Sequence, residues 1–239
     1  MNSTQVRSVM ANNDMTGSFA PSAEMGGLDP VRLASRLTGI LFPRLSTSQT
    51  PKMQLYDRTK RLFDLIVSTV VLVLFSPFFA VIVALVKATS SGPALFQQER
   101  VGQAGRLFAI YKFRSMFEHA PSYAYSPSTA DDPRITRLGR FLRRTSLDEF
   151  PQFINVFLGQ MSLVGPRPEM PFIVAQYNAQ QRQRLTVKPG ITGLWQISPH
   201  RGSPIHEHLE YDSYYLSHRS LVLDAAILLH TFFFVPRGV

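Results

Sequence analysis

The 239-residue chain carries 25 Lys and Arg against 16 Asp and Glu, a net charge of +9, and has no cysteine. That length holds one ordinary domain plus a membrane anchor, and the missing cysteines exclude disulfides, thiolate metal sites and a cysteine nucleophile. The positive charge favours phosphorylated substrates or an anionic lipid leaflet; without a helix-turn-helix, zinc-finger or RNA-recognition signature, nucleic acid is not expected.

Residues 1–28 are rich in Ser, Asn, Gly and Met, lack periodicity, and read as disordered. Asp29-Pro30 then suits a helix start. Leu33, Leu37, Ile40 and Leu41 share one face of a short amphipathic segment that Pro43 ends. It lies at a membrane interface or packs on the protein. From Leu65 to Val86 run 22 uncharged residues, about 33 Å as one helix, roughly the thickness of a bilayer's hydrocarbon. No signal peptide is read here, because the run begins far into the chain and no small-residue cleavage site follows. Basic residues flank it on both sides (Lys52, Arg58, Lys60 and Arg61; then Lys87, Arg100 and Arg106), which fits a simple span poorly. Pro77 removes a backbone donor near Val73, where Ser76 can bond the freed carbonyl. A helix–break–helix that enters one leaflet and returns satisfies both observations; a kinked span also accommodates the proline.

Beyond the apolar run, Gly92-Pro93 makes a turn, and a second turn falls around Gly102–Gly105. RLFAIYKFRSM reads as a strand with Phe108, Ile110, Lys112 and Arg114 on one face. Residues 117–133 read as loop, 135–158 as two helical pieces, 166–171 as proline-rich loop and 172–185 as helix. Turns follow to 204, then helix again from His206. The expected fold class is α+β, mainly helical: a tail over 1–50, a membrane element over 58–90 and a catalytic domain over 91–239.

Four segments carry candidate chemistry. In DDPRITRLGRFLRR, Arg134, Arg137, Arg140 and Arg143 recur every third residue with apolar residues between them. Guanidinium forks suit phosphate oxygens, and a solvated basic face explains the same spacing. In TSLDEFPQFINVFLGQ, Ser146 and Glu149 have capping-box spacing, which places Asp148 and Glu149 in a first helical turn. Adjacent carboxylates beside arginines can also hold Mg²⁺ and supply a nucleophile for phosphoryl transfer. Arg167, between Pro166 and Pro168, is presented from a stiff loop. In VKPGITGLWQIS, Pro189-Gly190 suits a type II turn, and core packing accounts for Trp195. His206-Glu207-His208 lacks a recognised ligand spacing, and on a helix its two histidines point apart, which argues against a metal there.

KRLFDLIVS…LFSPFF, GPALFQQERVG, YKFRSM, DPRITRLGRFLRRTSLDEFPQFINVFLGQMSLVGPRPE and KPGITGLWQIS, in this order over residues 58–239, resemble the bacterial sugar transferase family, the monotopic phosphoglycosyl transferases. The resemblance implies a re-entrant helix broken at Ser76-Pro77 in the bacterial inner membrane, with the catalytic domain facing the cytoplasm. It implies transfer of a hexose 1-phosphate from a UDP-sugar to undecaprenyl phosphate, with UMP released, at the start of an exopolysaccharide, capsule, O-antigen or glycoconjugate pathway. Asp148 would be the nucleophile, giving a covalent phosphosugar intermediate and ping-pong kinetics. Glu149 would bind metal or help deprotonate the lipid phosphate, and the Asp148–Glu149 pair would hold Mg²⁺. Arg143 and Arg167, then Lys112 and Arg114, would contact phosphate; a homodimer is an open expectation.

The sequence departs from the family after GLWQIS, where Ser198 is followed by Pro199, His200, Arg201 and Gly202 in place of the usual Gly-Arg. Either Arg201 takes the expected role after a one-residue shift, or this part of the pocket is altered. The GLWQIS form leans toward glucose or galactose phosphate donors. The multi-span N-terminal region of larger members is not seen, so the chain is expected to be the catalytic core with a short tail. Two competing readings remain: a non-catalytic basic membrane protein, and a glycosyl transferase that releases UDP. A missing Rossmann-like repeat weighs against the latter.

Overall fold

A computed structural model describes residues 50–118, 120 and 132–234; the N-terminal tail, its amphipathic segment and most of the 117–133 loop lie outside them. Helices α1 (Pro51–Leu74) and α2 (Ser76–Thr89) contain the apolar run. They meet at Phe75 with a bend of 61°. Its cause is local. Pro77 has no N–H for the Val73 carbonyl, and Ser76 Oγ donates to that oxygen at 2.8 Å instead. Among the described residues no single helix is long and apolar enough to cross a membrane, although the bent pair passes that test together.

Both arms pack on the same body. Asp64 of α1, 2% exposed, accepts hydrogen bonds from Ser162 Oγ (3.1 Å) and Leu163 N (3.0 Å). Arg61 donates to the Val156 and Phe157 carbonyls at 2.6 and 2.8 Å. From α2, Ile82 and Val86 bury against Ala94, Phe113 and Leu142. The remaining faces expose Ile66, Val70, Val73, Leu74, Val81 and Leu85, an apolar surface of a kind that soluble proteins seldom leave uncovered.

Strands β1 (Leu95–Val101) and β2 (Leu107–Phe113) form an antiparallel hairpin, Leu95 opposite Phe113 and Val101 opposite Leu107. The alternation of β2 is as read from the sequence, with Phe108 and Ile110 buried, but the strand ends before Arg114. Helix α3 (Arg137–Arg144) is capped by Thr136, whose Oγ1 accepts from Gly139 N at 2.8 Å. A 3₁₀ turn over Leu147–Glu149 and helix α4 (Gln152–Phe157) follow.

Strand β3 (Ser162–Val164) pairs in parallel with β4 (Gly190–Thr192). The type II turn expected at Pro189-Gly190 is absent: Gly190 opens β4 and does not take a positive φ. Its glycine has another cause, since a Cβ there would lie 2.1 Å from Gly165 N. The helix expected over 172–185 is broken into α5 (Pro171–Val174), α6 (Ala179–Arg182) and a 3₁₀ turn, Gln183–Thr186. Asn178 causes the interruption: extended itself, it forms a capping box with Gln181 and starts a new helix. Helices α7 (Leu209–His218) and α8 (Leu221–Phe234) close the chain. The largest core cluster joins Phe108, Ile110, Val156, Met161, Leu163, Val164, Tyr215 and Ile227. The described structure is thus a mixed α/β body, mainly helical, carrying a bent apolar helix pair.

Candidate active site

Asp148 and Glu149 sit on the 3₁₀ turn between α3 and α4, not in the first turn of a longer helix. The expected capping box does not form. Ser146 is left-handed (φ 56°) and makes no side-chain cap. A non-glycine residue held at positive φ is uncommon and strained, and this one turns the chain sharply out of α3 so that the two carboxyls face β2.

Glu149 Oε1 accepts from Lys112 Nζ of β2 at 2.7 Å and from Arg167 Nη2 at 3.1 Å. Burial pushes the Glu149 carboxyl up, but the Lys112 and Arg167 charges outweigh it and hold it well below the usual carboxylate range. Asp148, 8% exposed, goes the other way: burial raises its carboxyl against the downward pull of Lys112, and the Glu149 charge adds to the rise. Two adjacent acids are thus driven apart, one firmly ionised and one poised, a pattern typical of functional sites. Arg143, from the end of α3, also acts electrostatically on Asp148. Its buried Nη1 finds no hydrogen-bond partner among the described residues, so it retains donor capacity for an anionic ligand.

Arg167 is held by a set of groups that sequence spacing did not show. Arg184, 4% exposed, donates to the Arg167 carbonyl (2.9 Å) and to Glu169 Oε2 (2.9 Å), and its Nε pairs with Asp212 at 2.9 Å. Tyr177 donates to the same Glu169 carboxylate. On the other flank, Arg100 donates to the Pro168 carbonyl at 3.3 Å, and burial beside the Arg167 charge draws its guanidinium down to about 10. In the sequence Arg100 stands only among the basic residues flanking the apolar run, and Arg184 gives no signal. A shallow cleft beside Arg167 is lined by Val101, Gly102, Glu169, Tyr177 and Arg184.

One expected phosphate contact, Arg114, is engaged elsewhere. Arg114 is buried at the end of α2, where Nη2 donates to the carbonyl and the hydroxyl of Ser90, both at 2.7 Å. Arg201 lies in the turn after Ser198, to whose carbonyl its own N–H donates at 3.4 Å. His206 and His208 do not share a helix: His206 Nδ1 meets Glu169 Oε1 at 3.2 Å, whereas His208 faces Glu210. The Ser76-Pro77 break lies close to the acidic pair, because Phe150, next after Glu149, packs edge-on against Phe75 and Phe79 with ring centroids 6.0 Å away in each case.

Residues 55–238 match the family model for bacterial sugar transferases. The chain is 44% identical over 186 residues to a UDP-glucose:undecaprenyl-phosphate glucose-1-phosphate transferase of Klebsiella pneumoniae, covering 73% of this chain and 39% of that protein. It is 40% identical over 215 residues to the Escherichia coli (strain K12) protein of the same name, covering 81% and 46%. A third relative, the exopolysaccharide production protein ExoY of Rhizobium meliloti, is 37% identical over 187 residues, covering 72% and 83%. The chain thus spans less than half the length of the first two relatives. A match over nearly the whole described body, with the acidic pair, its cations and the adjoining helix break all inside it, means that the chain belongs to the bacterial sugar transferase family.

Proposed function

We propose that the protein transfers a hexose 1-phosphate from a UDP-sugar to undecaprenyl phosphate and releases UMP. One observation carries the reading: Asp148 and Glu149 sit among Lys112, Arg143 and Arg167 and one residue from the ring that packs on the helix break. A phosphate-handling centre is thereby fixed to an apolar element. Relatives named for undecaprenyl-phosphate transfer support it.

In this reading the Asp148 carboxylate attacks the sugar-linked phosphorus. A phosphorus–oxygen bond to the aspartate forms as the bond to UMP breaks, and UMP carries away the electron pair. An oxygen of the lipid phosphate then attacks the same phosphorus and frees Asp148. Burial, which makes Asp148 harder to ionise, also makes its carboxylate the more basic nucleophile. Arg143 and Arg167 hold the phosphate oxygens, and Lys112 keeps Glu149 ionised. Asp148 and Glu149 offer only oxygen donors, the type that Mg²⁺ takes, and Oε2 of Glu149 is not engaged by Lys112 or Arg167. They would hold Mg²⁺, which neutralises diphosphate charge.

The bent pair enters as a re-entrant element in the inner membrane, with the catalytic body on the cytoplasmic side. Support comes from the contacts of both arms: Asp64 on α1 and Val86 on α2 bury in one body, whereas a span would carry one of them to the far side.

The test is nucleotide release by the full chain in nanodiscs, supplied with Mg²⁺, undecaprenyl phosphate and a panel of UDP-sugars. Wild type should form UMP, and Asp148→Asn should not. Without the lipid acceptor, wild type should release one equivalent of UMP and gain the mass of a phosphohexose. Release of UDP, or UMP formation unaffected by Asp148→Asn, would overturn the reading. The panel also names the sugar, since the relatives divide among glucose, galactose and N-acetylgalactosamine.

A further inference from the structure

The segment that departs from the family pattern folds onto the start of α7 and brings three potential ligands together. One ligand atom each from His200, His208 and Glu210 lies within 4.8 Å of the others. The His200 and His208 rings stack at 4.4 Å between centroids. His200 Nδ1 is hydrogen-bonded to the Tyr211 hydroxyl at 2.7 Å, and His208 Nδ1 faces Glu210 Oε1 at 3.2 Å. We propose that His200, His208 and Glu210 form a binding site for a divalent transition-metal ion of the Zn²⁺ type, separate from the acidic pair.

The Tyr211 bond fixes the plane of His200 and leaves Nε2 as its ligand atom, the role that an outer-shell partner plays around a metal-bound histidine. Glu210 supplies a carboxylate oxygen from the first turn of α7. Two nitrogens and one oxygen with an open fourth position form a donor set that suits Zn²⁺, Co²⁺ or Ni²⁺ and suits Mg²⁺ poorly. Ligand atoms about 3.4 Å apart surround a tetrahedral Zn²⁺ whose bonds are about 2.0–2.1 Å. His200 and Glu210 are exposed and His208 half-buried, so His208 and Glu210 can close the distance by side-chain rotation while Tyr211 holds the His200 ring. His206-Glu207-His208 reads poorly as a metal motif because one of the ligands comes instead from eight residues before His208.

An ion here would staple the turn that carries Arg201 to the start of α7. His206, between the two, reaches Glu169 beneath Arg167, so occupancy would stiffen the approach to the active site.

The experiment is calorimetric titration of untagged, full-chain protein in nanodiscs with Zn²⁺ under excess Mg²⁺, paired with the visible spectrum of the Co²⁺ form. One equivalent of Zn²⁺ should bind in the presence of Mg²⁺, and Co²⁺ should show an intense tetrahedral band. His200→Ala and His208→Ala should each weaken binding by about 100-fold and Glu210→Gln by about tenfold, with thermal melting of the metal-free proteins unchanged. Asp148→Asn and His218→Ala should bind as wild type. No Mg²⁺-resistant equivalent, no tetrahedral band in the wild type, or binding lost in Asp148→Asn but retained in His200→Ala would overturn the proposal.

Discussion

Replacing Arg184 by methionine tests whether a buried charge cluster holds the loop that presents Arg167. Arg184 is 4% exposed, and its partners Glu169 and Asp212 are 8% and 4% exposed. Removing the cation leaves two carboxyls without their shared counter-charge. Breaking a buried pair on one side costs about 3–5 kcal/mol, which lowers the melting temperature of a domain this size by about 6–20 °C. The pH dependence is the sharper readout. Burial pushes the Asp212 carboxyl up, Arg184 pulls it back, and Glu169 pushes it further. Without Arg184, the folded state binds the Asp212 proton more tightly than the unfolded chain does. A carboxyl raised by folding loses stability as pH rises through the window between its unfolded and folded values, and regains it as pH falls. The deficit of Arg184→Met should therefore shrink on acidification, and Asp212→Asn added to it should recover part of the loss at neutral pH. The assay is thermal melting in nanodiscs from neutral to mildly acidic pH, followed by the single tryptophan, Trp195. A deficit below about 1 kcal/mol, or one that does not vary with pH, refutes this account.

Gly190→Ala should be severe and Gly202→Ala silent. A Cβ on Gly190 would lie 2.1 Å from Gly165 N and 2.4 Å from Thr192 O, whereas one on Gly202 meets nothing within 4 Å. The first should cost about 3 kcal/mol, or about 6–12 °C of melting temperature, and equal melts for the two variants would contradict the packing argument. Lys112→Met should move the acid limb of the rate–pH profile upward, because the Lys112 charge pulls Asp148 down against its burial. A charge close to a mostly buried acid is worth about 1–4 kcal/mol, so UMP release on the acid side should fall at least about fivefold. Lys112→Arg should restore the limb, and an unmoved limb in Lys112→Met would remove Lys112 from this role.

Features set by local chemistry were legible in the sequence. The break at Ser76-Pro77 follows from a missing donor and a nearby hydroxyl, and the structure forms the Ser76–Val73 bond that this implies. The β2 strand follows from alternation over Phe108 and Ile110. What failed was decided by distant contacts. Ser146 has capping-box spacing, yet the chain must leave α3 toward β2, and Ser146 takes up the turn in a left-handed conformation. Gly190 looked like a turn glycine because no local pattern shows that Gly165 lies against it. The placement of Lys112 and Arg167 on one oxygen of Glu149 joins residues 37 and 18 positions away. No spacing rule spans that, and only the family resemblance had drawn them together. Arg184 drew no notice because its carboxylate partners lie 15 and 28 residues from it along the chain.

The bent helix pair and the acidic pair meet through aromatic rings. Phe150 follows Glu149 directly, and Phe75, Phe79 and Phe153 all pack on it at 5.8–6.0 Å between centroids. Phe75 is the residue between the two helices, so the acidic pair stands a fixed distance from the bend. Asp64 and Arg61 hold the middle of α1 to β3 and α4 through four hydrogen bonds. The bend is thus clamped at its apex and along both arms, which makes it a rigid part of the body and not a tether. In the proposed function, which joins a water-soluble donor to a lipid phosphate, the height of the carboxylates above the hydrocarbon is a catalytic coordinate. A flexible tether would leave that height to diffusion; a clamped bend sets it in advance.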